Sequence, residues 1–230
     1  SRRRHTRFRN VTGVQTCALP IYAGLLDRQG RDELIVDPVR TSTASGQLQL
    51  SSGGASAYFG AEVSMHFSAG ERADVNVSYT RARARTDLNT LSNYFDTVMW
   101  PVLGANQYAP APADAPHRLL ARGRLTPWRN WLVVGILDWR SGLPWSATTD
   151  ALDYVGARNS LRFPSYFRLE AGLERHVKLL RFRPWLGVRV WNVFDAFLPV
   201  DVQSNLGSSH FGTFYNSEYP QIRIIMRFER

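Results

Sequence analysis

From Glu33 onward the chain alternates between apolar and polar positions with a period of two. Across Ser56–Ser68, Ala57, Phe59, Ala61, Val63, Met65 and Phe67 share one face, against Tyr58, Glu62, Ser64 and His66 on the other. Arg72–Thr86 continues with Ala73, Val75, Val77 and Tyr79 against Asp74, Asn76, Ser78 and Thr80. Leu119, Ala121 and Leu125 oppose Arg118, Arg122 and Arg124, and Phe167, Leu169 and Leu173 oppose Arg168, Glu170 and Glu174. Near the end Ile222, Ile224, Met226 and Phe228 oppose Arg223 and Arg227. Successive side chains of a strand point to opposite faces, and no comparable stretch carries a helical period, so the pattern predicts an all-β chain. Eight long strands are expected, over Glu33–Arg40, Ser56–Ser68, Arg72–Thr86, Pro116–Thr126, Trp131–Ser141, Pro164–Val177, Arg183–Phe194 and Pro220–Glu229.

The connections narrow the class. Ala69–Glu71, Pro127–Asn130 and Lys178–Phe182 are short, whereas Thr41–Ala55, Asp87–Ala115, Gly142–Phe163 and Asp195–Tyr219 are long. Compact soluble domains rarely hold several long unstructured loops. Outer-membrane barrels sort theirs in this way, with tight periplasmic turns and long extracellular loops. An antiparallel transmembrane β-barrel wall is the reading that follows, with the C-terminus on the periplasmic side.

Facing follows from the cost of charge in hydrocarbon, about 2–4 kcal/mol for an Arg or Lys at the midplane. The apolar faces then meet lipid, and Glu62, Asp74, Asp138, Glu170 and Glu174 line a wet interior with many arginines. A soluble sandwich has the same alternation with the faces reversed. Trp131 and Trp139 favour the membrane: eight residues apart on the outward parity, they are separated by about 20 Å of height in a tilted strand, close to the spacing of two interfacial girdles.

Composition alters this picture at one place. The net charge of +9 suggests a nucleic-acid or anionic partner. However, five arginines and no acid lie in Ser1–Ile21, and removing those five from +9 leaves +4. Within that segment Val11–Ile21 (VTGVQTCALPI) resembles a one-frame translation of a sequencing-library adapter. Residues 1–21 are therefore expected to be artefactual and unstructured, with 22–230 as the barrel portion. No nucleic-acid partner is expected. Cys17, the single cysteine, falls in the excluded stretch, so the remainder offers neither a disulfide nor a thiol nucleophile.

The later part of the chain resembles a TonB-dependent outer-membrane receptor, most closely the Oar-like branch. The residues that carry the resemblance are APADAPHRLLARG (Ala111–Gly123), DWRSGLPWSAT (Asp138–Thr148), NSLRFPSYFRLEAGLER (Asn159–Arg175), GVRVWNVFDAFLPVDVQSN (Gly187–Asn205) and FGTFYNSEYPQIRIIMRFER (Phe211–Arg230). The resemblance implies a fragment: about eight strands, as an open curved sheet, from the C-terminal part of a 22-stranded barrel. It implies residence in the bacterial outer membrane and contact with its lipid. It also implies a plug domain and TonB complex reached through an N-terminal part, barrel-assembly machinery recognising the last strand, and uptake of an unidentified extracellular ligand. Such insertion signals usually end on an aromatic residue, whereas here Glu229 and Arg230 follow Phe228.

No catalytic constellation is found. His117 lies three residues from Asp114, and His210 follows Ser208 and Ser209, but neither spacing supplies an activated nucleophile with a positioned base. No cofactor, metal site or enzyme activity is expected. Aromatic residues gather in the long loops: Tyr94, Phe95, Trp100 and Tyr108; Trp145 and Tyr154, with Asp150 and Asp153; Phe211, Phe214 and Tyr215. They suit either ligand capture or packing of a cap, and no single ligand contact is assigned. The alternative to a transporter is a structural or adhesive barrel, including one that eight strands would complete by themselves. Two registers are expected. The Ala69–Glu71 turn sets His66 opposite Asp74. The Lys178–Phe182 hairpin sets either Glu170 or Gly172 opposite Arg189, and charge favours Glu170.

Overall fold

In the computed structural model, residues 19–40, 46–87, 106–150, 153–179 and 182–228 are described. Eight strands form one continuous antiparallel sheet: β1 (Ile21–Arg40), β2 (Gly46–Ser68), β3 (Ala73–Thr86), β5 (His117–Leu125), β6 (Trp131–Arg140), β9 (Tyr166–His176), β10 (Trp185–Trp191) and β13 (Gln221–Arg227). Each pairs with the next in that order, and a two-residue strand, β4 (Ala109–Pro110), adds to the upper end of β3. The outer edges, β1 and β13, are not joined to each other. The sheet is open, as expected of a section of a larger barrel.

The ladders keep parity from strand to strand. One row runs Val75, Gly123, Gly135, Ala171, Val190, Ile222; the next runs Ala73, Leu125, Val133, Leu173, Val188, Ile224. This apolar face is uncovered, with Ile224 at 87%, Leu25 at 65% and Phe59 at 56% exposure. Among the described residues the buried apolar side chains are few: Ile35, Ala109, Ala147 and Leu198, with Pro144 and Pro184. A soluble sandwich of this size would enclose a core; here the apolar surface lies on the outside, far beyond the patch a soluble monomer tolerates.

Three expectations need correction. The first strand begins twelve residues early, with Ile21 opposite Met65, and β2 begins at Gly46 instead of Ser56. Consequently Thr41–Ala55 is not a long loop, and the first connection breaks the alternation of loop sizes. Gly46–Ala55 pairs with β1 alone, above the point where β3 leaves the sheet. Asp87 closes that junction: its carboxylate accepts the Ala55 amide at 2.7 Å, and its own amide donates to Ala55 O. Within β1 an irregularity falls at Asp32, whose φ is 55°. Glu229 lies outside the described residues.

At the first tight turn the loop is Gly70–Arg72, closed by the Ala69 amide on Ala73 O at 2.9 Å. Gly70 supplies a φ of 56°, which a side chain would oppose. This moves the register by two residues, so Ser68 faces Asp74 and His66 faces Asn76. His66 and Asp74 share the expected face as diagonal neighbours, Nε2 to Oδ2 at 3.1 Å. At the later hairpin Arg189 faces Gly172, not Glu170. Steric room decides between the two registers: a Cβ at Gly172 would lie 2.6 Å from Arg189 Cγ, and one at Gly187 would lie 2.5 Å from the opposed Glu174 Cγ. Each long charged side chain lies over a glycine.

The register is open to direct test. In a Cys17→Ser background, Ser64→Cys with Ser78→Cys should form a disulfide on mild oxidation, because opposed residues lie within bridging distance. Ser64→Cys with Asn76→Cys, the pair opposed in the two-residue-shifted register, should remain reduced. The reverse result on non-reducing gels would overturn the assigned ladder.

Candidate functional site

The face opposite the apolar one carries the chemistry. Near the long-loop end a lateral belt crosses five strands. Arg118 clamps Asp138 through two bonds, Nε to Oδ1 at 3.1 Å and Nη2 to Oδ2 at 2.9 Å, and Asp138 is buried. Beside it Arg140 stacks on Tyr166 at 4.5 Å, and Arg168 donates to the Tyr166 hydroxyl while lying 3.6 Å from the Trp191 ring centre. Arg223 approaches the same indole at 5.8 Å, and Trp191 Nε1 donates to Glu218 at 3.3 Å. Flat guanidinium groups stacked on aromatic faces can crowd without a carboxylate for each. Four arginines thus share Asp138 and Glu218.

A second cluster lies nearer the short turns. Glu174, 2% exposed, accepts from Arg189 at 3.1 Å and from Arg227 at 3.3 Å, tying β9, β10 and β13 together. Arg227 also sits over Trp185, which stacks on His176. Between the clusters an open hollow of about 570 Å³ is lined by His66, Asp74, Arg122, Arg124, Glu170 and Arg189. The polar interior expected from parity is present.

The long connections fold into small sheets of their own, β7 (Pro144–Trp145) with β8 (Leu161–Arg162) and β11 (Pro199–Val202) with β12 (Phe214–Ser217). Trp145 packs on Phe211 and Phe214, and Phe214 on Phe163. Thr148 and Asn205 form a bridge, and the Asn205 amide donates to Asp150 at 2.5 Å. Trp145, Phe211 and Phe214 therefore join two loops into a cap. Tyr154 lies beside them across a bridge to Thr148, Tyr215 is exposed on β12, and Tyr108 lies under Arg85. Tyr94, Phe95 and Trp100 fall outside the described residues.

The histidines do not assemble a catalytic site. Asp114 turns away from His117: it accepts the Ala84 amide at 2.7 Å and pairs with Arg162 at 2.5 Å. His117 meets the Tyr79 hydroxyl at 2.6 Å. The His210 amide donates to the Ser208 hydroxyl within its own turn. Among the described residues no group of three potential metal ligands occurs.

No family model and no curated protein matches the chain. Solved structures do. The siderophore receptor PiuA from Acinetobacter baumannii superposes with a TM-score of 0.57 over 92% of this chain at 13% identity. The ferric-catecholate import receptor Fiu from E. coli K12 gives 0.59 over 95% at 14% identity, and the outer membrane transporter YddB from Escherichia coli gives 0.61 over 94% at 12%. The fold is that of an outer-membrane receptor barrel. The chain spans 26% of the length of PiuA, 26% of Fiu and 31% of YddB. The open sheet superposes on a sector of such a barrel wall, and its polar face is the side that lines the lumen in that fold.

The stacked belt was missed in the sequence, although Arg140, Tyr166, Arg168, Trp191 and Arg223 all sit on the lumen parity. Their meeting depends on register, which parity alone does not fix. The lower cluster gives a quantitative expectation. Glu174→Gln removes the charge that two arginines share, and because both are partly hydrated the loss should be about 1–2 kcal/mol in the intact receptor. Glu170→Gln, which loses no ion pair, should change stability by less than about 0.5 kcal/mol. Thermal mobility-shift midpoints of the two variants distinguish this from the register that faces Glu170 with Arg189.

Proposed function

We propose that this chain is the C-terminal wall of a TonB-dependent outer-membrane receptor, whose parent takes up a scarce ligand from outside the cell. The observation that carries the reading is the unclosed sheet: apolar outward, charged inward and, among the described residues, unpaired at the outer edges of both β1 and β13. A sheet with free edges needs partners on each side, and the remaining strands of a large receptor barrel supply them. The lumen would then hold a plug, and the guanidinium-rich belt would face it or the ligand passing beside it. The capped loops support extracellular capture without assigning a contact. The reading of residues 1–21 as an adapter-derived stretch foreign to the receptor, and the Oar-like placement, belong to this proposal as well.

The rival, a structural or adhesive barrel without coupled transport, predicts different behaviour of the intact gene product. Outer membranes carrying that product should yield a cross-linked species with the purified periplasmic domain of TonB, and a protease-resistant plug fragment. An eight-stranded product that forms no such species would support the rival and overturn uptake.

A further inference from the structure

Two stretches depart from the lipid-facing rule: Asp27 and Arg31 on β1, with Asp27 two strands from Arg83 across Phe59, and a denser run of like charge on β3. The upper end of β3 reads RARART, and Arg81, Arg83 and Arg85 continue the parity of Val75, Val77 and Tyr79. The ladders confirm it: Tyr79 faces Val63 and Leu119, Arg81 faces Ala61 and His117, and Arg83 faces Phe59. Their height is informative. Tyr79, Leu119, Trp139 and Phe167 form one lateral row on the apolar face, an aromatic girdle at the long-loop end. Arg81 stands one row above it, and the other two arginines follow, where the hydrocarbon gives way to head groups.

The three are not neutralised. Arg81 and Arg83 are exposed and have no carboxylate partner among the described residues. Arg85 is held in place by Tyr108, stacked at 4.8 Å and donating to its carbonyl at 3.1 Å. Beside them opens a notch of about 330 Å³, lined by the three arginines, Pro110, Pro116 and His117. Asp114 also borders it but is committed to Arg162 and the Ala84 amide, so it does not cancel the positive charge. Of the facing positions on β2, Ala57 and Ala61 are small and only Phe59, opposite Arg83, is bulky. Because β3 is interior to the sheet, completing the barrel at β1 and β13 leaves this patch uncovered.

We infer that Arg81, Arg83 and Arg85 form a binding site on the outer wall for the phosphorylated head group of an outer-leaflet lipid. Guanidinium groups bind phosphate oxygens in pairs, and basic clusters at a membrane surface bind anionic head groups. The acyl chains of the same lipid would lie along the apolar rows below, so one molecule satisfies both halves of the surface. This rests on the membrane reading above.

The test uses the intact receptor in nanodiscs of zwitterionic lipid, titrated with diphosphoryl lipid A and, separately, with its dephosphorylated form. The phosphorylated lipid should bind more tightly, and Arg81→Gln with Arg83→Gln should weaken it by about tenfold or more. Arg81→Lys with Arg83→Lys, which keeps the charge but not the paired bonds, should fall between wild type and the glutamine variant, and Arg72→Gln, at the opposite end of β3, should match wild type. Excess inorganic phosphate should not displace the lipid; displacement would make this a simple anion site and overturn the inference. Equal binding of the two lipids, or by the double glutamine variant and wild type, would also overturn it, the latter leaving an acidic protein as the partner to seek. Heat-modifiable mobility of every variant reports insertion separately, so loss of the barrel itself is distinguishable from loss of the lipid site.

Discussion

Everything in this wall depends on side-chain parity being carried across seven ladders, interrupted only by the local irregularity around Asp32 and Glu33 in β1. A single-residue shift at any of them would bring charges onto the apolar face. The register prevents this, and the result is a sheet with almost no buried apolar side chain among its described residues. Its stability comes from elsewhere. Backbone bonds link every strand to the next, and in lipid those bonds have no competition from water. The uncovered apolar rows are then satisfied by acyl chains instead of by a second protein layer.

The polar face follows from the same constraint. Because charges cannot face lipid, arginines collect on the interior and must coexist there. Two solutions appear. Around Glu174 one buried carboxylate serves two arginines from neighbouring strands. Around Trp191 and Tyr166, aromatic faces separate guanidinium groups that outnumber their acids. The outward charges at this end, Arg81 to Arg85 on β3 with Asp27 and Arg31 on β1, lie above the aromatic girdle, where the constraint ends.

Much of the fold was legible because strand alternation is a local signal. Six of the eight strands were placed within a few residues. The two that were misjudged have clear causes. In Ile21–Asp32 the adjacent Leu25 and Leu26 and the irregularity at Asp32 break the period, and GQLQLSSGGA reads as a Gly/Ser loop although it pairs with β1 on either side of a register shift at Ser52 and Gly53. Strands of two to four residues such as β7 and β11 are too short to show any period. Register was legible only to parity. Choosing between registers needed the φ of Gly70 and the space above Gly172 and Gly187, which are properties of the folded pair. The interior belt was hidden for the same reason, since its members come from five separate strands.

The central claim is the direction of facing, and two neighbouring residues isolate it. Val77 and Ser78 share a strand, a height and nearly the same backbone environment, but Val77 lies in the apolar row with Met65 and Ala121, and Ser78 in the polar row with Ser64. Outer-membrane yield and heat-modifiable mobility of the intact receptor carrying Val77→Arg or Ser78→Arg measure what each facing tolerates. The account predicts a loss of about 2–4 kcal/mol and a sharp fall in inserted protein for Val77→Arg, with Ser78→Arg close to wild type. Equal losses, or a greater loss for Ser78→Arg, would contradict it by making the apolar face an interior core.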